Sequence, residues 1–278
     1  MKGVLYIDGV DAYTAYGISI SDVAYDDLVC FPQLKAIDFN DWHERNGIEP
    51  DLSAPVVEAK DVTIPFYASD VLSGYKMFIE AITDGAYHSF NFVRIGLTKR
   101  LMLKSCGEIS SVRGLGSFSL TFSDDQPMEG YSYNAPSSMV EQLGDYLIDG
   151  VDLARYGIRI LKGTMDSIIK MPDTKENMRR NVSVRPGTIY DGEFVTFKSR
   201  TAQIRCLMRA SNPAEFWNNR NAFVYDLTKA GERKLYVSQI GKEIPCFYKD
   251  CSVSCFYPDN GKFWFEFNLS LEFFKGVI

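Results

Sequence analysis

Two histidines, His43 and His88, are the only side chains in this sequence whose ordinary pKa suits general acid–base work near neutral pH. His43 lies in Asp41-Trp42-His43-Glu44-Arg45, which reads as a polar loop, and His88 opens a strand just past a helix stop. Neither has a nucleophile at a recognised local spacing. Cys246, Cys251 and Cys255 are the one thiol cluster. Structural zinc wants four ligands in tight knuckles, and Cys251 has a counterpart elsewhere, Cys106, with no thiols beside it. In an extended strand Cys251 and Cys255 share one face and Cys246 points to the other, so all three read as small strand residues, reduced and buried. Asp38-Phe39-Asn40-Asp41 and Asp259-Asn260-Gly261 read as turns, since neither is followed by the spaced acidic ligands of a calcium-binding hand. Gly114-Leu115-Gly116-Ser117 lacks the further glycine and the strand-to-helix context of a phosphate cradle. The sequence has no Gly-x-x-x-x-Gly-Lys-Ser/Thr and no Gly-x-Ser-x-Gly. The expectation is a protein that is not an enzyme, with no catalytic, cofactor-binding or metal-binding residue to assign.

The elements around these residues repeat. Ile7-Asp8-Gly9-Val10-Asp11 matches Ile148-Asp149-Gly150-Val151-Asp152, and Tyr16-Gly17-Ile18-Ser19-Ile20 matches Tyr156-Gly157-Ile158-Arg159-Ile160. Further matches follow in the same order: Lys60–Ile64 with Arg200–Ile204, Ile95-Gly96 with Ile240-Gly241, Lys104–Cys106 with Lys249–Cys251, and Phe118–Phe122 with Phe267–Leu271. This order predicts two tandem copies of one domain, spanning 1–135 and 136–278, with Pro127–Ser138 as linker.

Each copy predicts one helix. In the first, Ser69 caps a segment with Val71, Leu72, Tyr75, Phe78, Ile79 and Ile82 at helical spacing, and Gly85 supplies the stop. In the second, Asn212-Pro213-Ala214-Glu215 combines a cap, a first-turn proline and a reach-back glutamate, and Gly231 closes the segment. Phe216, Trp217, Phe223, Val224 and Leu227 form its buried stripe. Strands are predicted at Val57–Phe66, His88–Val93, Leu101–Val112 and Ser117–Phe122. In the second copy they fall at Phe194–Met208, Lys234–Gln239, Ile244–Tyr257 and Phe263–Phe274. Gly114-Leu115-Gly116 and Asp259-Asn260-Gly261 read as hairpin turns. The fold class is mainly β, a β-sandwich plus one helix per domain.

The composition agrees with a globular chain that needs no staple: 278 residues, 46% hydrophobic and 24% charged, with an aromatic share of 14% that favours strands. Asp8 interrupts the N-terminal apolar run before it could serve as a signal-peptide core, and no uncharged apolar stretch is long enough to span a bilayer. The expectation is therefore a cytoplasmic chain with its six cysteines reduced, and the sequons at Asn181 and Asn268 carry no meaning there.

Leu147-Ile148-Asp149-Gly150-Val151-Asp152-Leu153 with Tyr156-Gly157-Ile158 resembles the start of phage tail proteins of the distal-tail, tail-tube and baseplate-hub group. The polar excursion ending in Pro186-Gly187-Thr188-Ile189-Tyr190-Asp191-Gly192, the long strand through Arg200–Met208, the single helix and the final hairpin are similar to the same group. The first copy matches through Asn46-Gly47-Ile48-Glu49 and the Lys60–Phe66 strand. The resemblance implies a tail-tube-like domain that forms rings around a channel, in a distal tail or baseplate hub, joining the tail tube to the adsorption apparatus. It also implies a homo-oligomer, either three chains with pseudo-sixfold symmetry or a hexamer. Other tail proteins would be its partners and DNA only a transient cargo, in host cytoplasm during assembly and then in a virion or prophage tail, with no membrane involved. Two tube-like copies in one chain depart from the commonest distal-tail layout and look more like the hub proteins at the tube's end. The alternatives are a carbohydrate-binding or adhesion module of tandem β-sandwiches, which predicts solvent-facing Trp and Tyr clusters, and a hydrolase of unrecognised type.

Net charge is −6, and it is unevenly spread: residues 1–140 carry 10 Lys and Arg against 19 Asp and Glu, whereas residues 141–278 carry 20 against 17. The segment Ser21–Glu58 is acidic, with Asp38, Asp41 and Glu44 at its centre, and its counterpart Leu161–Gly192 is basic, through Arg179, Arg180 and Arg185 among others. These six residues are expected to form an interface between neighbouring chains of the ring, in which each acidic segment meets a basic one from a neighbour.

Overall fold

The computed structural model describes residues 2–21, 25–176, 179–190 and 195–276, the side chains of residues 179, 180 and 190 excepted. The predicted start of one strand at Phe194, and Asp191 and Gly192, lie outside the described residues. The first half contributes β1 (Leu5–Ile7), β2 (Val10–Asp11), β3 (Ile18–Ile20), β4 (Phe39–Asn40), β5 (Glu49–Pro50), β6 (Lys60–Ala68), β7 (Tyr87–Phe92), β8 (Leu97–Cys106), β9 (Ser110–Val112) and β10 (Leu115–Asp124). Its helices are α1 (Ala12–Tyr16), α2 (Asp26–Val29) and α3 (Gly74–Ile82). The second half contributes β11 (Tyr146–Ile148), β12 (Val151–Asp152), β13 (Ile158–Ile160), β14 (Arg179–Asn181), β15 (Thr188–Tyr190), β16 (Arg200–Ala210), β17 (Arg233–Val237), β18 (Lys242–Asp259) and β19 (Lys262–Phe273), with helices α4 (Thr164–Ile169) and α5 (Pro213–Leu227). The protein is mainly β.

Two antiparallel sheets carry this content, in the orders β2-β1-β7-β8-β10-β6-β3 and β12-β11-β17-β18-β19-β16-β13, with β9 paired to β10. Element for element the two orders are the same. The matched sequence blocks sit at matched places because each does the same backbone work. Asp8-Gly9 and Asp149-Gly150 both form two-residue turns with positive φ (49° and 81°, 51° and 78°), which joins Ile7 to Val10 and Ile148 to Val151. Asp11 then accepts the Thr14 N–H at 2.8 Å, and Asp152 accepts that of Ala154 at 2.8 Å. Gly17 and Gly157 follow in the left-handed region, and a Cβ there would lie 2.3 Å from Ser69 Oγ or 2.5 Å from the Arg209 carbonyl, so neither position admits a side chain.

Alternation along β6 buries Val62, Ile64, Phe66 and Ala68, and along β16 it buries Ala202, Ile204, Cys206, Met208 and Ala210. Helices α3 and α5 cover these faces. Phe78 of α3 packs on Phe66 and Phe118, and Phe216 of α5 packs on Phe263 and Phe265. The Asn212 cap is as expected: its side chain accepts the Glu215 N–H at 2.8 Å, and Glu215 reaches back to Ser211 N at 2.9 Å. The first helix differs from expectation. It starts at Gly74 with Ser73 at its cap, because the Asp70 carboxylate takes the N–H groups of Leu72 and Ser73 into a local turn, and Leu72 stands 86% exposed instead of in the core.

Between β3 and β6, and again between β13 and β16, the chain leaves the sheet as an arm. Each arm holds a short helix (α2, α4), a bridged pair (Leu34 with Val57, Thr174 with Phe197) and a two-stranded hairpin (β4–β5, β14–β15). Lys35 N donates to Val56 O as Lys175 N does to Thr196 O, and Glu58 N to Gln33 O as Lys198 N does to Asp173 O. Val57 and Phe197 therefore belong to the arms, and the strands predicted to begin near them begin at Lys60 and Arg200.

Candidate functional site: the seam between the two sheets

Phe31-Pro32 is an apolar pair in an otherwise acidic segment, and it does not pack on its own sheet. The first arm lays Phe31 between α5 and β19 of the second half, with ring centroids 5.9 Å from Phe223, 6.0 Å from Phe265 and 5.0 Å from Phe267. Tyr25, before α2, meets Phe256 edge-on at 6.4 Å. Tyr25 and Phe31 are both fully covered, and burying one such ring is worth about 1.5–3 kcal/mol.

The polar groups carried along are satisfied across the seam. Arg220 of α5 is buried, donates to the carbonyls of Val29 and Cys30 at 3.1 and 2.7 Å, and lies over the Phe31 ring at 5.2 Å. Those carbonyls end helix α2, so the guanidinium caps a helix belonging to the other half. Lys60, from the arm's own sheet, donates to Cys30 O at 2.7 Å and to Asp27 O, and burial pulls its ammonium down to about 8. Arg200 does the equivalent for α4, through the carbonyls of Ser167 and Ile168. Tyr248 OH donates to Pro32 O at 2.9 Å, Leu34 N to Lys249 O at 2.9 Å, and Cys30 Sγ to Cys251 O at 3.1 Å.

Further out, the β4–β5 hairpin grips the base of the second arm. Lys175 is buried and donates to Asp41 Oδ1 at 2.5 Å, Trp42 O at 2.7 Å and Gly47 O at 2.6 Å. Gly47 N donates to Phe197 O and Ile48 N to Phe274 O. A Cβ on Gly47 would sit 1.7 Å from Phe274 O, so this approach requires glycine. On the other flank, Trp217 Nε1 donates to Ile95 O at 2.7 Å, which ties the turn after β7 to α5.

The six residues expected at an interface are distributed unevenly here. Asp41 is in an ion pair, with Lys175 of the same chain. Asp38 and Glu44 are exposed on the same hairpin, and Arg185 is exposed in the turn between β14 and β15. Arg179 and Arg180 pair through their backbones with Tyr190 and Ile189, and their side chains lie outside the described residues. The residues that hold the seam, Phe31, Arg220, Lys175 and Trp217, carried no individual signal. The usable trace was alignment of Phe31-Pro32 with Met171-Pro172 in the second arm.

His43 and His88 are far apart in role. The His43 carbonyl accepts from Thr196 Oγ1, another seam contact. His88 is buried, with Nδ1 2.6 Å from Asp8 and Nε2 2.9 Å from Asp84. Burial alone would lower its pKa, and the two carboxylates outweigh that and raise it. In the second half the matching pair is Arg233 and Asp149 at 2.7 Å, and the flanking backbone bonds match too: Asp8 N to Ser89 O, and Asp149 N to Lys234 O. A position filled by arginine in one copy and by doubly paired histidine in the other is a structural cation. All six cysteines are free, and burial pushes the Cys246 thiol up to about 12. Among the described residues no group of three or more His, Cys, Asp or Glu is placed to hold a metal ion, and no helix is long and apolar enough to cross a membrane.

No protein-family model and no curated protein matches the chain. Among solved structures it is similar to the SPP1 Dit (gp 19.1) protein, described as a paradigm of the hub adsorption apparatus in phages infecting Gram-positive bacteria. The TM-score is 0.34 and the identity 8%, over 97% of each chain. A likeness at that level carries no weight for topology or role.

Proposed function

We propose that this chain is a non-catalytic structural subunit of a phage-type tail, made of two tandem tube-like domains, 1–135 and 136–278, that assembles into a ring in the distal tail or baseplate hub. One observation carries this reading: two halves of equal strand order meet through unlike surfaces, the arm of one on the sheet and helix of the other. Contact between equivalent units through unlike surfaces is heterologous, and such contacts propagate into rings when the rotation closes. Three chains then place six similar domains around one channel. Other tail proteins bind above and below, and DNA passes through as cargo; a net charge of −6 gives it no purchase on the wall.

Negative-stain microscopy of the purified chain tests this. Annular particles with six lobes and a central channel are expected; compact particles without a channel overturn it.

A second reading, a glycan-binding module, has one specific observation in its favour. Tyr257 and Trp264 are cross-strand neighbours, 63% and 39% exposed, beside an open groove of about 750 Å3 that Arg159, Arg209 and Glu215 also line. Binding on a glycan array that Trp264→Ala abolishes would favour it over the ring.

A further inference from the structure

Cys30 follows α2 in the first arm, and its carbonyl is held by Lys60 Nζ and by Arg220 Nη2, each at 2.7 Å. From there to Leu34 the arm runs along β18: Tyr248 OH donates to Pro32 O and Leu34 N to Lys249 O, each at 2.9 Å. These bonds bring Cys30 over the next stretch of that strand, where its Sγ lies 3.1 Å from the Cys251 carbonyl. Cys251 is opposite Leu269 of β19, so its side chain stands on the face where Phe267 receives Phe31. The Phe31 N–H points to the Cys251 sulfur, and the two thiols share a hydrogen bond.

This pairing is particular to the seam. Cys106 is opposite Leu120 as Cys251 is opposite Leu269, but it is exposed, with no thiol from an arm upon it. The second-arm residue in register with Cys30, counting from Leu34 and Thr174 in the matched bridges, is Lys170. The duplicated architecture therefore does not itself call for a thiol at position 30.

The two thiols are also chemically unequal. The bond with Cys251 and, after it, the Lys60 and Arg220 cations hold the Cys30 thiol below the ordinary thiol range, against burial. Burial, followed by the bond to Cys30, pushes the Cys251 thiol well above that range. Cys30 is thus the readier thiolate, and Cys251 is placed to resolve what forms on it. Both are half-buried, which leaves access for a small oxidant.

We propose that Cys30 and Cys251 are a redox-active pair that closes into a disulfide when the chain meets a peroxide, joining the first arm covalently to the second sheet. The Cys30 thiolate attacks one oxygen of hydrogen peroxide and the O–O bond breaks; the departing hydroxide takes a proton to become water, and Cys30 is left as a sulfenic acid. The Cys251 sulfur, giving up its proton, then attacks the Cys30 sulfur, the S–O bond breaks and the second oxygen leaves as water. Two thiols have lost two electrons and two protons to one peroxide, and a thiol reductant reverses the change. The pair stays open in a reducing compartment and closes outside one. This inference stands on the seam and is independent of any ring.

The test uses the full chain carrying Cys106→Ser, which removes the exposed thiol and with it cross-links between chains. After peroxide treatment of the folded protein, non-reducing digestion and mass spectrometry are expected to recover one peptide pair linked through Cys30 and Cys251. The melting temperature should rise on oxidation and return with dithiothreitol, because the bond constrains the unfolded chain. Adding Cys30→Ser or Cys251→Ser should abolish that reversible rise, and with Cys251→Ser the Cys30 sulfenic acid should persist and be trapped by dimedone. The proposal is overturned if both thiols stay free under peroxide, if Cys30 passes to sulfinic acid with no linked peptide, or if the link forms only in urea-unfolded chain. All three of these results are read from a chain whose seam residues are intact, so a serine variant that fails to fold does not obscure them.

Discussion

The ring of Phe31 lies 5.0 Å from that of Phe267, although the first belongs to an arm leaving one sheet and the second to the middle of the other. The core of the second half is therefore incomplete without the first: removing the arm uncovers Phe223, Phe265 and Phe267 together. Substituting Phe31→Ala leaves a cavity at that point, and the expected cost is about 3–5 kcal/mol. The loss should fall on the second half, whose slot is emptied, so calorimetry should resolve two transitions where the wild type has one, with the lower belonging to residues 136–278. A single transition shifted by less than about 1 kcal/mol would show that the halves do not share this core.

Lys175 holds the outer end of the same seam through three acceptors on the β4–β5 hairpin. A Lys175→Met variant retains the packing of the aliphatic stem and strips the donors, leaving the Trp42 and Gly47 carbonyls without it. The Trp42 carbonyl keeps the Arg45 N–H, whereas the buried Gly47 carbonyl loses this donor, and a buried acceptor so orphaned costs about 1–3 kcal/mol. Hydrogen exchange at Gly47 and Ile48, whose amides bond to Phe197 O and Phe274 O, should then approach that of a free loop while exchange in β18 and β19 is unchanged. Retained protection at both amides would mean that the glycine-enabled backbone approach suffices without the lysine.

Much of the fold was legible because its signals are local. Asp8-Gly9 and Asp149-Gly150 announce their turns in two residues, Asn212-Pro213-Ala214-Glu215 announces a helix start in four, and repetition of such blocks in order revealed the duplication. Leu72 departs from expectation for an equally local reason: helical spacing runs through it, but Asp70 draws its neighbours' amides into a turn that delays the helix start to Gly74. The seam was not legible. Phe31, Arg220 and Lys175 lie far apart in sequence and each has an ordinary local context, so nothing short of the folded chain places a guanidinium at the end of a helix from the other half. The charge contrast between the arms led to an interface expected with a neighbouring chain, whereas Asp41 pairs with Lys175 of its own chain.

Arg179, Arg180 and Arg185 concentrate positive charge on the β14–β15 hairpin. Under the ring reading they sit on the hairpin that reaches the next chain's acidic first half. Reversing all three to Glu should dissociate or misregister the assembly in native mass spectrometry at low salt. Raising salt toward physiological strength, where the screening length is about 8 Å, should narrow the difference from wild type. An oligomer unchanged by the reversal at every salt concentration would leave the hairpin charges without a role in assembly.

His88 provides a pH test that separates structure from chemistry. Its folded pKa is raised above the ordinary histidine value, burial opposing and the Asp8 and Asp84 carboxylates prevailing. A group raised on folding stabilises fully below its unfolded pKa, about 6.5, and loses that contribution as pH rises through the folded value. The melting temperature of the wild type should therefore carry a component that falls between those two limits. His88→Arg places in the first half the cation that the second already uses at Arg233, so the variant should retain its stability at acidic pH and lose that falling component, since arginine does not titrate there. His88→Ala should be less stable than either at low pH, with Asp8 and Asp84 left facing each other, and nearer to wild type at high pH. Proton NMR of the His88 ring gives the folded pKa directly. A value at or below about 6.5, or an arginine variant that fails to fold, would contradict the assignment of this site as a structural cation shared by the two halves.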